Sequence, residues 1–394
     1  MQYPKIELLP GQDRRLRAGH PWAFSNEIRM DQAARDLAPG TPVRLTAEGG
    51  RPVALAHFNP HSLIAARVLT RNKDATIDAG FVDRRIERAL RLRERLFQRP
   101  YYRLAHGEAD GLPGLVIDRF DDVLVLQINT AGMAALEAGI LESLTARFRP
   151  RAIVLRNDSP VRELEGLPLE SRLALGALDA PVVVEEHGLT FEIDPLEGQK
   201  TGWYYDQRDN RAFVARLADG RRVLDLYSYG GGFGLAALSA GAERVLAIDR
   251  SKLGLELAER AAGRNGLEGQ LQVRRQDTFA ALDQLSSEKA RFDLAVVDPP
   301  SFVKSKRELK PGLRGYRKLA RQAAGVVAEE GVLAIASCSH NVGREAFADE
   351  VRKGLRDAGR SGRLIREAGA APDHPLHPAL PESGYLKFLV YVLD

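Results

Sequence analysis

One thiol stands in this sequence where an accessible nucleophile would be most useful. Cys338, the sole cysteine, lies one residue past the apolar run Val332-Leu333-Ala334-Ile335-Ala336 and has polar neighbours, Ser337, Ser339, His340 and Asn341. A free cysteine is most often a small, buried, inert residue. The end of a central strand is different, because open α/β sheets present their chemistry at the carboxyl edge. A second apolar strand, Leu294-Ala295-Val296-Val297, runs into Asp298-Pro299-Pro300-Ser301-Phe302. Two prolines there end strand pairing and hold the chain extended at the sheet edge. A thiol and a carboxylate are therefore expected on adjacent loops. A thiolate forms covalent intermediates that divide one hard step into easier ones, and a nearby carboxylate can steer the accompanying proton.

A glycine turn supplies the partner for that pair. The strand ending in Asp225-Leu226 leads into Tyr227-Ser228-Tyr229-Gly230-Gly231-Gly232-Phe233-Gly234 and then a helical stretch. Glycines let the backbone turn sharply and approach a ligand that a Cβ would exclude. The next strand ends in Asp249-Arg250-Ser251, placing an acid where a ribose diol would be held. Asp277-Thr278 follows the third strand, where class I methyltransferases often place an acid or amide against the adenine amino group; a helix N-cap explains Asp277 almost as well. Nicotinamide and flavin enzymes share the turn and Asp249. Asp298-Pro299-Pro300 separates them, being a signature of methyltransferases, so the expected cofactor is S-adenosylmethionine.

With that cofactor the thiol acquires a purpose. C5 of cytosine is a poor nucleophile toward a sulfonium methyl group, and addition of Cys338 at C6 would make C5 enamine-like. Asp298 can hydrogen-bond the N3 and N4 edge of the base. A free thiol, with a pKa of about 8.5, must be activated for this, and the base must leave its stack, which favours single-stranded or loop RNA.

Positive charge is concentrated nearby. Between residues 301 and 318, Lys304, Lys306, Arg307, Lys310, Arg314, Arg317 and Lys318 face Glu308 alone, a local excess of six against +4 for the whole chain. Pro300, Phe302 and Tyr316 are interleaved with these charges. The segment is read as binding phosphates and stacking an extruded base, the plainer reading being a solvated loop.

The elements that must position these residues fall into three regions. Residues 191–394 alternate strands with helices and imply a doubly wound, parallel sheet; the final apolar run, 385–393, is expected to form its antiparallel edge. Residues 1–70 read as short strands broken by turns, with a hairpin signal at Gly49-Gly50. Residues 71–190 read as α/β, with a helix over 81–99 whose arginines are expected to face solvent. The chain of 394 residues is 44% hydrophobic and 28% charged, ordinary for a globular protein. One cysteine excludes an internal disulfide and a cysteine-rich metal site, and no metal is expected. No leader is read at Met1-Gln2-Tyr3-Pro4 and no membrane span anywhere, so a cytoplasmic protein is expected.

Taken in order, the motifs resemble a known family. Gly19-His20-Pro21-Trp22-Ala23-Phe24, Gly107-Glu108-Ala109-Asp110-Gly111-Leu112-Pro113-Gly114 and Gly198-Gln199-Lys200-Thr201-Gly202-Trp203-Tyr204-Tyr205-Asp206-Gln207-Arg208 precede the glycine turn, Asp298-Pro299-Pro300 and Ser337-Cys338-Ser339. This set resembles the bacterial large-subunit (23S) ribosomal RNA cytosine-5 methyltransferases, over nearly the whole chain. The resemblance implies a Rossmann-like class I methyltransferase domain, preceded by a PUA RNA-binding domain and a middle α/β domain. It implies ribosomal RNA as partner, a homodimer as a fitting assembly, and Cys338 as nucleophile. It also implies that Gln199, Thr201, Gly202, Asp206, Gln207 and Arg208 close over the cofactor, joining Asp225, Tyr227, Ser228, Tyr229, Gly230, Gly231, Phe233, Asp249, Arg250, Ser251, Asp277, Thr278, Asp298 and Pro299. In one respect the chain departs from many such enzymes, which carry a second cysteine after the fourth-strand proline; here Ser301 follows Pro300.

Three other readings stay open on the sequence. A related methyltransferase acting on a purine or exocyclic nitrogen needs no thiol. A nicotinamide-linked oxidoreductase uses the same sheet. A non-catalytic RNA-binding protein could keep the fold alone.

Overall fold

The computed structural model describes Tyr3–Asp394; Met1 and Gln2, part of the opening segment read for a leader, lie outside the described residues. The chain divides into two compact units: residues 1–182, 194–203 and 372–381, and residues 183–193, 204–371 and 382–394.

The first unit contains two hydrophobic cores. One is β-rich. Strands β1 (Lys5–Glu7), β2 (Trp22–Ala23), β3 (Thr41–Thr46), β4 (Pro52–Phe58) and β5 (Ala66–Thr70) form a sheet in the order β1-β3-β4-β5-β2 around Ile6, Leu16, Val43, Leu45, Phe58 and Ala66. The hairpin expected at Gly49-Gly50 joins β3 to β4, and both glycines have positive φ. The other core lies under helix α1 (Ala79–Leu96) and helix α2 (Glu137–Phe148). Its sheet, β6 (Tyr101–His106), β7 (Leu115–Phe120), β8 (Val123–Ile128), β9 (Ala152–Asn157) and β10 (Glu170–Gly176), runs in the order β10-β9-β8-β7-β6. Asp78 caps α1 by accepting from the Phe81 N–H.

Arg93 departs from the solvent-facing placement expected of the α1 arginines. It is fully buried, in a two-pronged pair with Asp110 at 2.7 and 2.8 Å. Burial of a guanidinium is tolerable only with its donors satisfied, and Arg93 also reaches the Arg103 and Asp373 carbonyls. A second buried network ties the two cores of this unit. Glu165 accepts from Asn59, Ser62 and Arg67, while Glu108 accepts from Trp22 and Arg67.

The hairpin of β11 (Val182–Glu186) and β12 (Leu189–Ile193), turned through His187 and Gly188, both with positive φ, lies in the second unit from residue 183 on. Helix α3 (Arg208–Ala215) leads to β13 (Arg222–Leu226), α4 (Gly232–Ser239), β14 (Arg244–Asp249), α5 (Lys252–Arg264) and β15 (Leu271–Arg275). Then follow α6 (Thr278–Ser287), β16 (Phe292–Val297), α7 (Leu309–Val326), β17 (Val327–Ser337), α8 (Arg344–Asp357), β18 (Gly362–Ala368) and β19 (Lys387–Leu393). The seven strands pair in the order β15-β14-β13-β16-β17-β19-β18, with β13 to β17 parallel. The closing strand is antiparallel to β17, as expected, but does not form the edge; β18 covers it. The sheet order reverses at β13, so the carboxyl ends of β13, β14, β16 and β17 converge on one crevice. Core side chains from β13, β16, β17, α6, α7 and α8 fix those ends in place.

Candidate active site

The turn after β13 is strained at residues that are not glycine. Tyr227 and Tyr229 have φ of 61° and 44°, and Gly231 follows at 74°. Such conformations in bulky residues persist only where surroundings impose them, and they cluster at ligand sites. Here the restraint is visible. The Asp249 carboxylate accepts from the Tyr229 N–H at 2.9 Å and the Ser251 N–H at 2.7 Å. Gly254 packs so closely that a Cβ would come within 2.8 Å of the Tyr229 ring. Gly231 is required too, since a Cβ would sit 2.9 Å from that of Ala258.

Asp225 is buried at the end of β13 and accepts from the Gly234 N–H at 2.8 Å. It therefore fills, with a side chain of the protein itself, the place at the N-terminus of α4 where a dinucleotide fold would seat a pyrophosphate. Burial, with the charges of Asp298 and Asp249 adding to it, pushes the Asp225 carboxyl up to about 7. Three acidic side chains thus surround the turn, and a cationic ligand would favour the ionised form of Asp225. Ser228 adds a buried hydroxyl oxygen with no hydrogen-bond partner among the described residues, and a buried polar atom of this kind is suited to meeting a ligand. The donors and charges fit S-adenosylmethionine, whose sulfonium and ammonium are positive, better than a phosphate-bearing cofactor.

Other assigned residues are distributed less simply. Asp277 caps α6 through the Phe279 and Ala280 N–H groups. Thr278 is buried and hydrogen-bonded to Tyr227. The Arg250 side chain is exposed, and Ser251 caps α5. The Phe233 ring stacks on Phe388 at 5.9 Å, so only its backbone is left for a ligand. Of the segment implied to close over the cofactor, Gln199, Thr201 and Gly202 belong to the first unit. There Thr201 is buried and donates to Asp118 at 2.5 Å. Asp206, Gln207 and Arg208 belong to the second. Gln207 donates to Asp298 at 2.9 Å, Asp206 accepts from the Tyr385 hydroxyl at 2.6 Å, and Arg208 pairs with Glu186.

Cys338 is half-buried at the carboxyl end of β17, its Sγ 3.8 Å from the Pro299 carbonyl oxygen. The two loops are laced together by hydroxyls. Ser339 bonds Ser301 at 2.9 Å and Tyr316 at 2.7 Å, and the Ser337 hydroxyl donates to Tyr316 at 2.9 Å. Tyr316 therefore corrects an expectation. It is fully buried and cannot stack an extruded base; it fixes the cysteine loop instead. Phe302 is half-buried, 4.7 Å from the Tyr316 ring and 6.3 Å from Phe279. Pro300, Lys304, Lys306, Arg307 and Arg314 are exposed, whereas Arg317 is paired with Asp357.

Sequence reasoning missed four residues. Asn210 bonds Gln207 at 2.7 Å and so orients the group that holds Asp298. The Tyr204 ring meets Tyr229 edge-on at 5.8 Å, and its hydroxyl lies within the influence of Asp298, Asp206 and Cys338, which with burial push it well above its ordinary value. Tyr385 precedes β19 and Lys387 opens it, both in the closing run read from the sequence only as a strand. A regularly spaced pattern exists for none of them.

A parallel sheet carrying this acidic glycine turn, the Asp-Pro-Pro loop and an antiparallel pair at its end defines the S-adenosylmethionine-dependent methyltransferases. Residues 125–375 match the S-adenosylmethionine-dependent methyltransferase family, and residues 6–71 match the PUA-like domain. The chain is 38% identical over 391 residues to ribosomal RNA large subunit methyltransferase I of Shewanella denitrificans, covering 98% of each. It is likewise 38% identical over 390 residues to the protein of that name from Aeromonas salmonicida, again covering 98% of each. A solved methyltransferase structure complexed with SAH superposes with a TM-score of 0.84 at 18% identity, covering 99% of this chain and 100% of that one. The chain belongs to the S-adenosylmethionine-dependent methyltransferases, in the family of the ribosomal RNA large subunit methyltransferase I proteins. Among the described residues no helix is long and apolar enough to cross a membrane, and no cluster suits a metal ion.

Proposed function

We propose that this protein methylates C5 of a cytosine in large-subunit ribosomal RNA, with Cys338 as covalent nucleophile. The observation that carries the reading is the placement of Cys338 Sγ against the Pro299 carbonyl, one residue from Asp298. Asp225, Ser228, Tyr229 and Asp249 would hold the cofactor, which supplies an electrophilic methyl group when bound. Cys338 adds through sulfur to C6 of the base. Asp298, held by Gln207, hydrogen-bonds the N3 and N4 edge and supports proton delivery to N3 as sulfur adds. Once C5, made enamine-like by the addition, bears the methyl group, its proton leaves to a base, the C6–S bond breaks to return the thiolate, and N3 gives up the proton it received. Ser301 occupies the position where a second thiol would act, so another base serves product release. The exposed Lys304, Lys306, Arg307 and Arg314 engage phosphates, and the names of the relatives support ribosomal RNA as the polymer.

The test is to map 5-methylcytosine in ribosomal RNA from cells with and without the gene, complemented by wild type or Cys338→Ala. Loss of one site in the deletion and in Cys338→Ala, with cofactor binding retained in the variant, is the expected result. Methylation by Cys338→Ala defeats the covalent mechanism, and an altered purine defeats the choice of base.

A further inference from the structure

Lys387 is the first residue of β19 and lies opposite Ser337, the last residue of β17. It is 2% exposed. A buried ammonium needs its donors satisfied, and Nζ donates to the Ser339 carbonyl at 2.6 Å and the Tyr385 carbonyl at 2.7 Å. Those bonds account for two of three N–H groups. They also anchor a cation on the residue that follows the nucleophile. A buried lysine is expensive, and nothing in the packing of β19 requires one, since its other residues are apolar.

We propose that Lys387 is a positioning residue that holds the cysteine loop and favours the thiolate of Cys338, with the thiol proton released to solvent. The inference rests on Cys338 being the nucleophile. Burial lowers the Lys387 ammonium to about 8, against an opposing pull from Cys338, so the lysine remains mostly charged at neutral pH. Other ionisable groups bear on the pair. Asp298, from the loop after β16, opposes a second negative charge, whereas the Tyr204 hydroxyl, kept protonated by burial and its acidic neighbours, carries none. Tyr316 from α7 feels Cys338 as well. Arg344 from α8 acts on Lys387, and His340 stacks near Tyr385 at 5.0 Å. Lys387 thus presents a cation bonded directly to the cysteine loop. A thiol whose nearest acidic neighbour is a carboxylate gains most from such a charge.

Alkylation tests this without methyl transfer, because Cys338 is the only cysteine. The rate of iodoacetamide modification of the full-length protein is followed across the thiol titration range. In wild type the midpoint is expected at least one unit below the free-thiol value of about 8.5. In Lys387→Met it moves up by about one unit or more, and Lys387→Arg restores part of the shift. Retained S-adenosylmethionine binding shows that the variants fold. The pH dependence of kcat for methylation should move with the alkylation midpoint while KM for RNA is unchanged. A wild-type midpoint at or above about 8.5, which needs no variant, overturns the proposal, as does an identical midpoint in folded Lys387→Met. If Cys338→Ala still methylates, the covalent mechanism fails even where the lysine shifts the thiol; if Cys338→Ala is dead and Lys387→Met leaves the midpoint unmoved, only the role of the lysine fails.

Discussion

The Gln207 side-chain amide donates to the Asp298 carboxylate at 2.9 Å, and Asn210 in turn grips the Gln207 carbonyl oxygen at 2.7 Å. A glutamine at the start of α3 thereby sets the rotamer of the acid beside Cys338. Gln207→Leu removes that restraint while filling the same volume. It is expected to lower kcat about 10- to 100-fold, the cost typical of a small misplacement of a reacting group. Single-turnover methylation measures it, and an unchanged kcat would show that Asp298 needs no such support.

Asp225 links stability to pH. Its folded value near 7 lies above the 3.8 of an exposed carboxyl, so the folded state holds this proton more tightly than the unfolded chain. The associated stability is complete below pH 3.8 and declines as pH rises through about 7. Asp225→Asn stays neutral and keeps an acceptor for Gly234. The ligand-free variant should melt several degrees higher than wild type at about pH 8, with little difference at about pH 4, while binding S-adenosylmethionine at least about tenfold more weakly. Calorimetry at both pH values checks both halves.

His57 works in the opposite direction. Burial lowers its imidazole from 6.5 to about 4, and its Nδ1 lacks a hydrogen-bond partner among the described residues. The unfolded chain takes up this proton first on acidification, so the contribution is full above pH 6.5 and is lost as pH falls toward 4. Urea unfolding should show a loss of up to about 3 kcal/mol across that window, and His57→Phe should flatten it. Gly132 packs on this ring so closely that a Cβ would lie 2.1 Å from it. Gly132→Ala is expected to cost about 1–3 kcal/mol through overpacking.

Tyr316 offers a separation of structure from substrate binding. Tyr316→Phe keeps the buried ring but deletes the hydroxyl shared by Ser337 and Ser339. A stability loss of about 1–2 kcal/mol is expected, together with lower kcat and an unaltered KM for RNA. A raised KM with intact kcat would return Tyr316 to the RNA surface.

The exposed basic residues should behave as phosphate ligands. Replacing Lys304, Lys306, Arg307 and Arg314 by alanine is expected to weaken RNA binding at all sequences. The salt slope should fall by about one for each phosphate that is no longer neutralised. Filter binding from about 50 to about 300 mM salt, over which the screening length falls by roughly half, reads both effects. An unchanged slope would mark a solvated loop.

The alternation of parallel strands and helices, the glycine turn, the terminal acids and the position of Cys338 were determined by the sequence itself, whereas the edge strand β18, mostly exposed and without an unbroken apolar run, was not. Apolar periodicity and Gly/Pro punctuation are local, and each reports directly on the few residues around it. Tertiary structure decided the rest. Phe302 and Tyr316 share one basic segment, yet one ring is half-buried and the other wholly so, because the packing of α7 on the sheet selects the face. Arg93 carries the same letter as its exposed neighbours on α1, but Asp110 and two carbonyls draw it inward. Lys387 reads as a charged residue opening an apolar strand; only its register opposite Ser337 brings it to the cysteine loop. Long-range pairing depends on which surfaces exclude water together, and residues far apart in the chain acquire that relationship only once the sheet is closed.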